Sequence, residues 1–387
     1  MIKIPPISGN IQFIPLSSYE EIIKNYVDKV GNLEQVSSVI QMGSFTTPGI
    51  SDIDLIVVIK DGMAFPDWKD ISLKNISKDH KDAEVIAHDI FVIPEFVAQN
   101  VEAYFYIDQQ NVLKGKQLGG NISQGIVDKC KEFLALEYAI FSLDSIASTL
   151  LNPAADLRST ILLISSMRHS SKIAFDLKII NNDYKNEIKN RIEKLRSDVI
   201  SNEYSVEDFS YLFENFINLL SSSIEKLLKN ATDHIASGKL KNSWIVNPKT
   251  AMVGVKKEED FLEKFLRILE KQKGTMFSKN TKIFCVPIEF QMHIGAYLDG
   301  DKKAAIYFKN SFKNIQSFHD ENELNTRVRQ LRGEVAYQHW DFITRSGYKR
   351  SSGKAYFGIP YPGPKDYKSV LKKGMLYYQM NKLVVES

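Results

Sequence analysis

The sequence predicts an α/β (α+β) protein with a small mixed-sheet domain over residues 1–120, a helical domain over 121–240 and a C-terminal α+β region over 241–387. Three observations carry that division. Within the first 120 residues one amphipathic helical stretch precedes several apolar runs of strand length. From 123 to 234 the pattern changes to long helical segments, and beyond about 280 strand-length runs return. A chain of 387 residues also exceeds what one hydrophobic core usually holds, so two or three domains are expected.

The elements follow in chain order. Ser17 and Ser18 stand three residues before Glu20 and Glu21, a capping-box spacing, and Ile22, Ile23, Tyr26, Val27 and Val30 keep helical period until Gly31-Asn32. This predicts a helix over 19–30, a strand over 36–42, and a second strand over 52–59 that stops at Lys60-Asp61-Gly62. AEVIAHDIFVI, residues 83–93, reads as a third strand and 104–113 as a fourth. LRSTILLISSMRHSSKIAFDL and YLFENFINLLSSSIEKLL read as long helices, with breaks at Asn152-Pro153 and Asn181-Asn182. Residues 238–254 read as a linker or an ordered crossing loop, 257–273 as a helix, and IFCVPIEFQMHIGAYL and AAIYF as strands around Asp299-Gly300-Asp301. A last helix is expected over 321–344; the final forty residues match no simple pattern.

Composition sets outer bounds. With 43% hydrophobic and 25% charged residues the chain falls in the ordinary globular class, and no uninterrupted apolar run approaches the roughly 20 residues of a membrane span, so no membrane partner is expected. MIKIPPISGN has no basic segment leading into an apolar run, and Cys130 and Cys285 have neither metal nor redox spacing, which points to a reducing, cytoplasmic setting. Residues 301–387 hold 16 Lys and Arg against 8 Asp and Glu, whereas the first 300 hold 34 against 39. A basic end of this kind meets phosphate or an acidic partner, or is simply a solvated lysine-rich surface.

The informative stretch is QMGSFTTPGISDIDLIVV, residues 41–58. Strand side chains alternate, so Asp52 and Asp54 point the same way while Ile53 points into the opposite layer. Two carboxylates sharing one small volume are costly unless neutralised, and a hard divalent cation does so most directly, with magnesium the natural candidate. The strand runs on as LIVVI, apolar on both faces, which makes its mount rigid. Gly43 lets backbone approach a ligand closely, and Ser44 adds a hydroxyl donor suited to phosphate oxygens. Thr46, Thr47 and Gly49 keep the connection short, and Pro48 stiffens it.

Taken together, GSFTTPGISDIDLIVV resembles the active-site motif of the polymerase-beta-like nucleotidyltransferase superfamily: Gly-Ser, a short spacer, then Asp-x-Asp opening an apolar strand. The order helix, strand, Gly-Ser turn, acidic strand matches that family too. The resemblance covers less than a third of the chain. It implies Asp52 and Asp54 as metal ligands, Gly43 and Ser44 as binders of a nucleoside triphosphate, and two Mg2+ ions as cofactors. It also implies a third carboxylate that ligates metal and accepts the proton of an attacking hydroxyl. Asp89 is the preferred candidate, because a charge within an apolar run is expensive unless it meets a metal or a partner, and Glu84 is the alternative. The implied reaction moves a nucleoside monophosphate to an acceptor hydroxyl with loss of pyrophosphate. The acceptor, small molecule or RNA, stays open, as does a catalytically inactive nucleotide-binding or interaction module.

Other signals are weaker. His88 should face away from Asp89, and reads as a buried or partner-bonded histidine rather than a ligand. Arg158, Arg168, His169 and Lys172 punctuate an apolar helix and would reach a triphosphate or acceptor, although a solvated face explains them as well. Arg327, Arg329 and Arg332 with Trp340 suit either a nucleic-acid groove or amphipathic packing. YFGIPYPGPKDY suits an acceptor-side loop or a plain surface loop.

Overall fold

Alternation along β2 (Val36–Met42) and β3 (Asp54–Ile59) sends their apolar side chains to both faces of a four-stranded sheet, and both faces are covered. The computed structural model describes residues 2–45, 47–232, 243–247, 250–256, 259–273, 282–287 and 323–345. The sheet has the order β4-β3-β2-β5, with β4 at Phe91–Pro94 and β5 at Gln110–Lys114. β2 runs antiparallel to β3 and β5, and β3 runs parallel to β4, so the sheet is mixed. On one face Leu55, Val57 and Ile59 meet Tyr19, Ile22 and Tyr26 of α1 (Leu16–Val30). On the other, Ile56 and Val58 pack with Val97, Val101 and Val335. The continuous LIVVI run is thus a strand buried on both sides.

α1 begins three residues before the expected start. No capping box forms: Ser17 and Ser18 lie inside the helix, and the Ser18 hydroxyl donates to Asp82 (2.5 Å) instead. The expected strand over 83–93 is mostly not a strand. Residues 83–85 form a 3-10 turn and pairing begins only at Phe91, because the Leu73 and Ile90 amides donate to the Asp89 carboxylate (2.8 and 3.0 Å) and irregular backbone is satisfied locally. Two short helices, α2 (Trp68–Ile71) and α3 (Leu73–Ile76), connect β3 to this segment, and α4 (Glu95–Gln99) follows β4 directly. The expected fourth strand likewise shrinks to β5.

Four long helices follow, as the sequence period demands: α5 (Gln124–Leu151), α6 (Leu157–Asp176), α7 (Asn182–Ser201) and α8 (Val206–Thr232). The breaks fall where expected. Asp156 caps α6 through the Ser159 amide (2.8 Å), Asn181 caps α7 through the Tyr184 amide (2.9 Å), and Asn202 ends α7 in the left-handed region (φ 59°). Ahead of α6, β6 (Ala155–Asp156) pairs in parallel with β1 (Ile7–Ser8) near the N-terminus. α5 is long and apolar enough to cross a membrane by length and composition, yet most of that stretch is buried inside the protein. Its hydropathy is that of a core helix packed on α6 and α8.

Residues 238–254, expected as a linker or crossing loop, include β7 (Ser243–Asn247) and most of β8 (Thr250–Val255). With β9 (Lys282–Pro287) these make a three-stranded sheet in the order β7-β8-β9, beside α9 (Phe261–Lys273). Val253, Phe265 and Val286 share one apolar cluster with α5–α8, so the expected boundary near 240 crosses a continuous core. The last described helix, α10 (Glu323–Arg345), returns to the first sheet, where Val335 joins the cluster around Ile56. The expected turn at Asp299-Gly300-Asp301, the AAIYF strand and the YFGIPYPGPKDY loop lie outside the described residues.

Candidate metal centre at the mouth of β3

The loop leading into β3 is tied from behind. The Tyr19 hydroxyl donates to the Ser51 carbonyl (2.7 Å) and accepts from the Gly49 amide (2.9 Å). Gly49 has φ +94° and a Cβ there would stand 2.3 Å from the Gln12 carbonyl oxygen, so no other residue fits without displacing backbone. Asp54 opens β3 on the same face as Ile56 and Val58, away from α1. Its register partner is Met42, the residue before Gly43, which places the Gly-Ser turn directly beside the acidic pair. Gly43 and Ser44 are exposed. Gly43 has φ +69°, and its amide is already donated to the Gln109 carbonyl (3.1 Å).

The third member of the cluster is His88. Its Nε2 lies 2.5 Å from Asp54 Oδ1 and 3.6 Å from Asp52 Oδ2, and one ligand atom from each of the three side chains lies within 4.8 Å of the others. Its Nδ1 sits 2.8 Å from the Asp89 carbonyl oxygen, and Phe91 packs against the ring at 4.9 Å. Burial, and after it the Asp54 charge, raise the Asp52 carboxyl above its ordinary range, against His88 and Arg158. For His88, burial disfavours the charged ring, but the hydrogen bond and charge of Asp54 prevail, so its pKa is raised.

Asp89, the expected third carboxylate, is turned elsewhere. Its oxygens accept from the Ser72 hydroxyl (2.6 Å) and the Leu73 amide (2.8 Å) at the start of α3, and from its neighbour Ile90 (3.0 Å). Asp89 and His88 take different partners, but they precede β4, where strand alternation does not apply. Because the backbone ahead of β4 is irregular, it is His88 that points at the pair, and this corrects the expectation. Glu84 is exposed in the 3-10 turn and joins no metal-ligand group among the described residues.

The helical region supplies cations. Arg158 reaches the carbonyls of Glu84, Val85 (3.4 Å) and Ser51 (3.5 Å), all backbone next to the cluster. His169 and Lys172 contact Asp108, His169 at 3.8 Å, and the charge of Asp54 acts on His169, whose pKa is lowered chiefly by burial. Sequence reading missed Arg196 of α7. It is 3% exposed and donates to Thr47 Oγ1 (3.0 Å), Ser51 Oγ (3.0 Å) and Ser165 Oγ (2.7 Å), which clamps the loop before Asp52 against α6. Burial and the nearby Arg168 bring its pKa down to about 10. The available signal was positional: Arg196 falls four residues after Ile192 and next to Leu195 on the buried stripe of α7, where a charge needs a reason.

A cleft of about 670 Å³ lies behind the Gly-Ser turn, between α1 and strands β2 and β5. Gly43 and Ser44 border it, but Asp52, Asp54 and His88 do not. Among the α10 arginines, Arg327 is exposed, whereas Arg332 is fully buried with both Glu137 oxygens at 2.6 Å. Arg332 is therefore unavailable to a nucleic-acid groove. No protein-family model, curated protein or solved structure matches the chain.

Proposed function

We propose that this protein is a metal-dependent nucleotidyltransferase, moving a nucleoside monophosphate from a nucleoside triphosphate to an acceptor hydroxyl with release of pyrophosphate. The observation that carries this reading is the convergence of Asp52 and Asp54 beside the exposed Gly43-Ser44 turn, through the Met42–Asp54 register. The donors fit a divalent ion, since ligand atoms of Asp52, Asp54 and His88 lie within 4.8 Å of one another, and a cation there would offset the burial and the Asp54 charge that raise the Asp52 carboxyl. Asp52 and Asp54 would hold it from the rigid end of β3. When bound, such ions stabilise the entering and leaving oxygens of an in-line displacement.

The chain's own groups divide the remaining work. Ser44 would contact the triphosphate, because the Gly43 amide is already spent on Gln109. Arg158 and Arg196 hold the loop and backbone from which the carboxylates project. With the Asp89 carboxylate bonded to α3, the hydroxyl proton would leave through Asp52, Asp54 or water instead. The acceptor is a small molecule or an RNA.

Labelled triphosphates incubated with divalent ions and separate pools of small-molecule and RNA acceptors test the reading. Incorporation with pyrophosphate release is expected, falling at least about a hundredfold in Asp54→Asn. Incorporation indifferent to Asp54→Asn would falsify it. One observation favours a second reading, a nucleotide-binding module without turnover: the His88 ring sits against Asp54 where a third carboxylate was expected. That reading predicts triphosphate binding with no incorporation in any pool.

A further inference from the structure

We infer that His88 is a metal ligand, so that the centre has a mixed Asp-Asp-His donor set which selects borderline ions such as Mn2+ or Zn2+ over Mg2+. The inference rests on the reading of Asp52 and Asp54 as a metal site and departs from the magnesium centre that three carboxylates would make. Three independent placements support it.

First, the imidazole takes the place beside the pair. Its Nε2 is 2.5 Å from Asp54 and 3.6 Å from Asp52, with all three side chains partly accessible and so open to an entering ion. Second, the far nitrogen is fixed. A carbonyl only accepts, so the 2.8 Å contact to Asp89 O puts a hydrogen on Nδ1 and fixes the ring with Nε2 facing Asp54, where an entering ion would take the place of the Nε2 proton. Metal-binding histidines are typically oriented in this way, the other ring nitrogen donating to a backbone carbonyl. Third, the hard donor that would compete is removed, since the Asp89 carboxylate accepts two hydrogen bonds at the start of α3 and a third from Ile90. Oxygen-only sites suit magnesium, whereas an imidazole nitrogen adds affinity for manganese and zinc and gives magnesium little.

The test uses the full chain and metal ions alone. Mn2+ is titrated and followed by electron paramagnetic resonance, with Mg2+ and Zn2+ as competitors, in wild type, His88→Ala, His88→Asp and Asp54→Asn. The expected result is Mn2+ bound in an Asp54-dependent manner, with pulsed spectra carrying the modulation of a coordinated imidazole nitrogen. Loss of an outer-shell partner of a metal-bound histidine costs about 10–100-fold in affinity, so losing the ligand itself should weaken Mn2+ and Zn2+ by at least about tenfold in His88→Ala. Mg2+ affinity should stay within about threefold, and His88→Asp should shift the preference towards Mg2+. Asp54-dependent Mn2+ without imidazole nitrogen in the wild-type spectrum overturns the inference and leaves the metal site standing. An unchanged Mn2+ to Mg2+ preference in His88→Ala does the same. If no ion binds in an Asp54-dependent way, both the inference and the metal reading fall. The wild-type spectrum decides even if a variant does not fold.

Discussion

Two buried arginines join distant parts of this chain, and they do so by different chemistry. Arg332 of α10 binds both oxygens of Glu137 on α5 and the Ala103 carbonyl, all at 2.6 Å, and lies over the Phe133 ring. Arg196 of α7 is nearly as buried, but its hydrogen bonds go to three neutral hydroxyls. The first charge is cancelled where it sits. The second is not, and among the carboxylates that act on it is Asp52, on the loop the arginine clamps. Burying a cation without a bonded carboxylate is costly. The uncancelled arginine is the one whose hydrogen bonds reach the loop beside Asp52.

The comparison can be broken from either side. The largest effect is expected from Arg332→Met, which strands Glu137 in the core: urea unfolding should lose about 3–5 kcal/mol. Equal stability of variant and wild type would mean that Glu137 finds another partner. Arg196→Met removes hydrogen bonds to hydroxyls and strands no charge, so a smaller loss, roughly 1–3 kcal/mol, is expected. That loss should come with faster amide exchange over residues 47–54, and exchange confined to α7 would argue against the clamp. The smallest effect is expected when Arg332→Met is combined with Glu137→Leu. Replacing a buried ion pair by apolar groups is often neutral or stabilising, so the double variant should recover to within about 1 kcal/mol of wild type. Failure to recover would mean that the pair specifies how α10 docks on α5.

What the sequence showed of the site was what lies close together in it. Asp52, Asp54, Gly43 and Ser44 lie close together in the chain, although β3 begins only at Asp54, so the expected strand over 52–59 is shorter and Asp52 reaches the cluster from the loop before it. The long helices were equally legible, since period and side-chain caps are local properties. His88 and Asp89 were not resolved, because the choice between them depends on where the parallel ladder to β3 begins and on the amides at the start of α3. Neither is a local property. Arg196 lies nearly 150 residues from the loop it holds, a separation no spacing rule spans. The strands within 238–254 were hidden by Gly, Pro and Lys that read as a linker until sheet partners are known.

The short pairing of β1 with β6 also bears on how the molecule is made. Ile7 is synthesised about 150 residues before its partner Ala155, so this pairing waits until the chain reaches α6. Arg196 comes later still. A nascent chain halted after β5 would carry the acidic strand with its loop unclamped, and the site would mature only as the second half of the protein closes over the first.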